Sequence, residues 1–176
     1  QLSARRMEIY AAMLANMDFH IGRLLDHLKS TGRLDNTLVI FMSDNGAEPT
    51  ELAALVESLF SAEAQKWFLE NFDQSPENWG KKGSTVDYGP AWAQVGATPF
   101  RLFKGYVAEG GIRAPLIVAG PGVKDSGGIN PALVHVSDLA PTLLEMAGAQ
   151  HPSSKDARLA PITGKSLAPL LAGSTD

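Results

Sequence analysis

The chain contains no cysteine. That absence excludes a disulfide framework, a thiolate metal site and a cysteine nucleophile within these residues. Charge is also sparse: 19% of the 176 residues are Asp, Glu, Lys or Arg, against roughly 25% in ordinary soluble domains. The low charge points to surface shared with something else. No cationic excess exists either. The net charge of −4 gives no electrostatic footprint for nucleic acid or an anionic membrane. No apolar run is long enough to span a bilayer, and no signal-peptide pattern opens the chain. No internal repeat or low-complexity tract interrupts it.

What is present is an α/β pattern. From Ser3 to Ser30, Ile9, Met13, Leu14, Met17, Ile21, Leu24, Leu25 and Leu28 recur at three- and four-residue spacings, the period of an amphipathic helix. Gly32 supplies its stop. Thr37–Met42 is a near-continuous apolar run, the pattern of a strand buried on both faces in a parallel sheet. A second helix is expected from Thr50 as N-cap, with Leu52, Leu55, Val56, Leu59 and Phe60 on one face. Its continuation from Ser61 to Phe72 carries Trp67, Phe68 and Phe72. Residues 73–99 show no clear period and read as a long irregular segment, functional or disordered by its length. Trp79, Tyr88 and Trp92 argue against disorder. Those three rings either line the mouth of a site or anchor a long loop. Ala114–Ala119 is a second buried strand, 124–130 a polar turn, and Asp138 the N-cap of a helix reaching Gly148. A Pro-rich tail occupies 149–176. The whole reads as one partial domain over 1–176. The opening at Gln1, almost directly into a helix, is expected of a piece of a longer polypeptide.

The densest chemistry lies where the first strand ends, in Ser43-Asp44-Asn45-Gly46. A carboxylate and an amide carbonyl are hard oxygen donors of the kind Ca²⁺ or Mg²⁺ takes. The carboxyl ends of strands are where open α/β sheets place ligands. The same four residues also make a common turn. Lys104, taken alone, is a solvated surface charge. Glu109 and Arg113 bracket Gly110-Gly111 and read as structural, through a turn and an ion pair. His20 and His27 lie seven residues apart on one helix, a spacing that mimics metal binding, but His20 sits beside the core stripe and packing or capping is the better reading. His135 and His151 fit no catalytic pattern.

Four blocks occur in order: the helix Tyr10–Thr37, the strand and turn Leu38–Glu48 (LVIFMSDNGAE), the block Thr98–Gly122 (TPFRLFKGYVAEGGIRAPLIVAGPG), and His135–Gly148 (HVSDLAPTLLEMAG). With the Gly-Pro-x-Trp-Ala segment Gly89–Ala93, they resemble the later part of the catalytic domain of the type I sulfatases, in the bacterial arylsulfatase group of the alkaline-phosphatase-like superfamily. The resemblance implies a doubly wound, largely parallel α/β sheet flanked by helices, incomplete here, with a C-terminal subdomain expected beyond this chain. It implies that Asp44 and Asn45 are Ca²⁺ ligands, with Mg²⁺ the lesser choice. Lys104 would bind a sulfate oxygen and stabilise charge as the S–O bond breaks. The implied substrate is a small-molecule aryl or alkyl sulfate ester, released as an alcohol or phenol and sulfate.

The family's nucleophile is a formylglycine made within Cys/Ser-x-Pro-x-Arg, and nothing here fits that pattern. It is expected upstream, as are further Ca²⁺ ligands, so the 176-residue chain alone is expected to be inactive. Two other readings stand beside this one. One is a phosphohydrolase of the same superfamily. The other is a non-catalytic fragment acting as a structural or binding module. Oligomeric state and compartment, bacterial periplasm or cytoplasm, are left open by the residues.

Overall fold

A 29-residue helix, α1 (Leu2–Ser30), opens the computed structural model, which describes residues 1–124, 127–156 and 158–174. Residues 125 and 126 of the polar turn, and 157, 175 and 176 of the tail, lie outside the described residues. Gly32, at φ +67°, stops the helix in a left-handed conformation that costs glycine little. Lys29 sits in its last turn, where a cation complements the helix dipole.

A 3₁₀ turn at Leu34–Asn36 leads into β1 (Val39–Met42). Then come α2 (Leu52–Leu59), α3 (Ala62–Asn71), α4 (Gly89–Gly96), the single turn α5 (Glu109–Ile112) and β2 (Leu116–Ala119). A 3₁₀ turn at Val136–Asp138 precedes α6 (Leu139–Met146), and α7 (Ala168–Leu171) closes the chain. β1 and β2 form a two-stranded sheet. Ser43 donates its N–H to the Pro115 carbonyl at 3.4 Å, while Gly120 lies against the Thr37 carbonyl. Pairing 43 with 115 and 37 with 120 makes the two strands antiparallel.

Neither strand is buried on both faces, contrary to what their apolar runs suggest. Phe41 is 40% exposed and Ile117 59%. The same holds for α1. Ile9 is buried, but Met13 remains 62% exposed and Leu24 58%. The helical period is a sound guide to the helix, while Met13, Leu14, Met17 and Leu24 of its apolar stripe remain exposed.

Packing divides the chain into two units. The first comprises 1–30 and 41–116, the second 31–40 and 117–176. In the first, the buried side chains are Ile9, Val56, Trp79 and Ala93. Burying an aliphatic side chain such as Ile9 or Val56 contributes about 1.5–3 kcal/mol. Asp87 organises this unit. One carboxylate oxygen takes the Arg6 guanidinium at 3.0 Å, and the other accepts the Leu52 N–H at 3.1 Å. The start of α2 is therefore capped from Asp87, 35 residues along the chain. Thr50, the residue expected to cap it, instead bonds Glu48. The cap of α3 is local, with Ser61 Oγ accepting from the Ala64 N–H at 3.4 Å.

The 73–99 segment contains α4, a helix its lack of period concealed. Pro90 in the first turn and Gly96 at the end bracket a helix too short to show amphipathicity. All three of its rings named from the sequence act as anchors. Trp79 donates its indole N–H to the Gln74 carbonyl at 3.0 Å beneath the Arg6 guanidinium. Tyr88 packs its ring against Tyr10, centroids 4.8 Å apart. Trp92 hydrogen-bonds Ser3. The segment is thus strapped to α1.

In the second unit, Asp138 stands at the N-terminal boundary of α6, as its sequence position suggests, but its carboxylate serves other groups. It accepts the His135 N–H at 2.8 Å and the Lys165 N–H at 2.9 Å. The first of these bonds, with the His135 side chain accepting from the turn's backbone, closes a capping box on the 3₁₀ turn. Thr142, fully buried, accepts the Leu167 N–H at 2.7 Å and so ties α6 to the start of α7. His135 and His151 each cap a 3₁₀ turn through Nδ1. His20 Nδ1 lies 3.0 Å from the Arg23 guanidinium.

Candidate active-site turn and its lysine

The turn after β1 is shaped by its own first residue. Ser43 donates its hydroxyl to the Asn45 carbonyl at 2.9 Å, the short side-chain-to-backbone bond that serine offers a turn. Asp44 is exposed and Asn45 half-buried. Among the described residues, neither side chain makes a hydrogen bond, so their oxygens remain available.

The following residue docks the turn. Gly46 donates its N–H to the Gly111 carbonyl at 3.0 Å. A Cβ at Gly46 would strike the Gly110 carbonyl oxygen and stand 2.8 Å from the Gly111 Cα. Gly110 and Gly111 are themselves buried in α5. Their Cβ positions are taken by the Leu102 and Tyr106 carbonyls. Three glycines therefore let main chain meet main chain, and the loop 101–106 wraps α5 with Gly110 donating to the Arg101 carbonyl at 3.0 Å.

Gln94 of α4 clamps that loop. Its carboxamide donates to the Phe100 carbonyl at 3.0 Å and accepts from the Leu102 N–H at 2.9 Å. Leu102 is held at φ +64°, a left-handed conformation costing a non-glycine residue roughly 1–2 kcal/mol. Arg113, paired with Glu109 at 3.5 Å, covers the Phe100 ring at 4.5 Å. The structural role read for Glu109 and Arg113 in the sequence is the one they have here.

Lys104 projects from this loop. Its backbone N–H donates to the Ala47 carbonyl at 3.0 Å, one residue past Gly46. Its ammonium donates to Glu48 Oε2. Glu48 in turn accepts the Thr50 N–H at 2.9 Å, and the Thr50 hydroxyl, through Oε1. The hydrogen bond from Glu48 raises the Lys104 pKa, with Glu48 and Asp44 adding through-space attraction. The bonds from Lys104 and Thr50 lower that of Glu48. Both groups are thus held in their charged forms. Asp44 and Lys104 share one electrostatic neighbourhood without a hydrogen bond between them among the described residues.

The donor chemistry fits a hard cation in part. Asp44 and Asn45 offer two oxygen-bearing side chains, where Ca²⁺ takes about six to eight oxygens. Among the described residues, no group of three or more His, Cys, Asp or Glu is arranged to hold a metal, so Asp44 and Asn45 could hold one only as part of a larger set. Glu48, Gln94 and Asp87 went unnoticed in the sequence as organisers. Glu48 closes the strand-and-turn motif, and only its pairing with a residue 56 positions away reveals it.

The sequence model of the Sulfatase family matches residues 2–149. An uncharacterized sulfatase of Schizosaccharomyces pombe is 46% identical over 155 residues, covering 88% of this chain and 27% of its own length. An arylsulfatase of Klebsiella aerogenes is 44% identical over 147 residues, covering 83% of this chain and 30% of its own. A sulfatase of Formosa agariphila is 33% identical over 171 residues, with 92% and 23% covered. The chain thus spans less than a third of the length of these relatives.

Proposed function

Since the chain belongs to the sulfatase family, whose fold is the alkaline-phosphatase-like α/β fold, we propose that the whole protein hydrolyses aryl or alkyl sulfate esters. The two-stranded sheet would then be part of a larger, doubly wound and largely parallel one. The observation that carries the reading is the coupling of the Asp44–Asn45 turn to Lys104 through main chain: Gly46 to Gly111, and Lys104 to Ala47. Two hard oxygen donors and one ammonium are fixed on a common scaffold within the matched residues.

In this reading Asp44 and Asn45 supply part of the coordination of a divalent cation, Ca²⁺ before Mg²⁺. When bound, that cation would add positive charge against the sulfate oxygens. The Lys104 ammonium binds a sulfate oxygen as a point charge and stabilises the negative charge that grows as the ester S–O bond weakens. No residue of this chain fits the formylglycine position, since there is no cysteine and no Ser-x-Pro-x-Arg run. The nucleophile belongs to a part of the protein outside these 176 residues.

The test compares the full-length protein on a sulfate ester and on the matching phosphate ester. Preference for the sulfate supports the proposal, and preference for the phosphate would favour a phosphohydrolase. Asp44→Ala in the same protein is expected to lower turnover by roughly 10²–10³, the scale of losing one preorganised charge-stabilising contact. Near-normal turnover of that variant in excess Ca²⁺ would remove Asp44 from the site.

A further inference from the structure

We infer that Glu48 is the positioning residue for Lys104, an inference that rests on the sulfate-binding role proposed for that lysine. Surface ion pairs usually contribute little, because two flexible side chains must be held in one geometry. This pair differs in how its carboxylate is fixed. Glu48 Oε1 is occupied by the Thr50 N–H and hydroxyl, leaving Oε2 for the lysine. One residue earlier, the Ala47 carbonyl holds the Lys104 N–H. Lysine has a flexible four-carbon stem and a rotatable head. Glu48 removes that freedom by anchoring the tip of the side chain, while Ala47 anchors its root.

The ammonium has three donors. Glu48 takes one, and two remain for an anionic oxygen. The result is a lysine whose head is already placed beside the Asp44–Asn45 turn before any ligand arrives. An unanchored Lys104 half-exposed on a loop would have to be ordered by the substrate itself, which weakens binding.

The experiment uses the full-length protein and steady-state kinetics with an aryl sulfate. Glu48→Ala, Glu48→Gln, Lys104→Ala and the double variant Glu48→Ala/Lys104→Ala are compared, with thermal melting as a check on folding. Glu48→Ala is expected to lower kcat/KM about tenfold or more. Glu48→Gln, which keeps an oxygen acceptor at the same place, recovers part of that loss. The double variant is no worse than Lys104→Ala, because Glu48 acts only through the lysine. Should the alanine variant fail to fold, Glu48→Asp reads the same effect, since it keeps the charge and withdraws the oxygens by one methylene. Unchanged kcat/KM in Glu48→Ala beside an impaired Lys104→Ala overturns the inference alone, as do losses that simply multiply. Full activity of Lys104→Ala overturns the underlying role of the lysine, and the inference with it.

Discussion

Gly46 faces the Gly110 carbonyl with no room for a methyl group. Replacing it with alanine is expected to push the Asp44–Asn45 turn off α5, at a cost of about 1–3 kcal/mol typical of overpacking. Chemical denaturation read by circular dichroism checks the magnitude. Asp138 makes a second residue-scale prediction. Backbone N–H groups of His135 and Lys165 hold its carboxyl below the ordinary aspartate value of 3.8. A carboxyl depressed in the folded state stabilises the fold above its unfolded pKa. That contribution is lost as pH falls through the folded pKa. Asp138→Asn should therefore flatten the decline of stability below about pH 4, the aspartate range. An acid titration of the melting temperature in which the two proteins run parallel would refute this.

At the scale of elements, the regular periods in the sequence were reliable and the long-range connections were invisible. The three- and four-residue spacing of Ile9, Ile21, Leu25 and Leu28 announced α1 to within a residue of its ends. The apolar pattern runs on from α2 into α3, whereas the structure breaks the helix after Leu59 and starts α3 anew with Ser61 as its local cap. Local rules place the cap of α2 at Thr50, but its acceptor is Asp87, remote in sequence, and no local rule points to it. The Asp44–Asn45 turn and Lys104 stand out from motif context. The clamp formed by Gln94, and the anchoring by Glu48, required the fold that brings them near. Removing each cap should show the difference. Ser61→Ala is expected to cost about 0.5–1 kcal/mol and to fray α3 alone. Asp87→Ala removes a cap and the Arg6 ion pair together, and is expected to cost roughly 1–3 kcal/mol. Amide exchange should then speed up in both α1 and α2.

At the scale of the whole molecule, part of the apolar stripe on α1 lies open. Met13, Met17 and Leu24 are exposed, in a chain that spans less than a third of its relatives' length. In a protein of the relatives' length, further chain is available to cover that face. Peroxide oxidation of Met13 and Met17 followed by mass spectrometry tests this. Both should oxidise quickly in the isolated 176-residue chain and slowly in the longer protein, because thioether oxidation follows exposure. Equal rates would leave the stripe open to solvent in both.

The contact of Gly46 with Gly110 and Gly111 has a consequence for mutational repair. When a bulky residue is forced into an ordinary core, trimming a neighbouring side chain can often make space for it. Here the opposing surface is already glycine and peptide, so there is no side chain left to trim. A genetic search starting from an inactive Gly46→Ala protein should therefore yield true revertants and few intragenic suppressors at 110 or 111. The junction between the turn and the lysine loop would then be among the places in this chain where sequence drift is least free to wander.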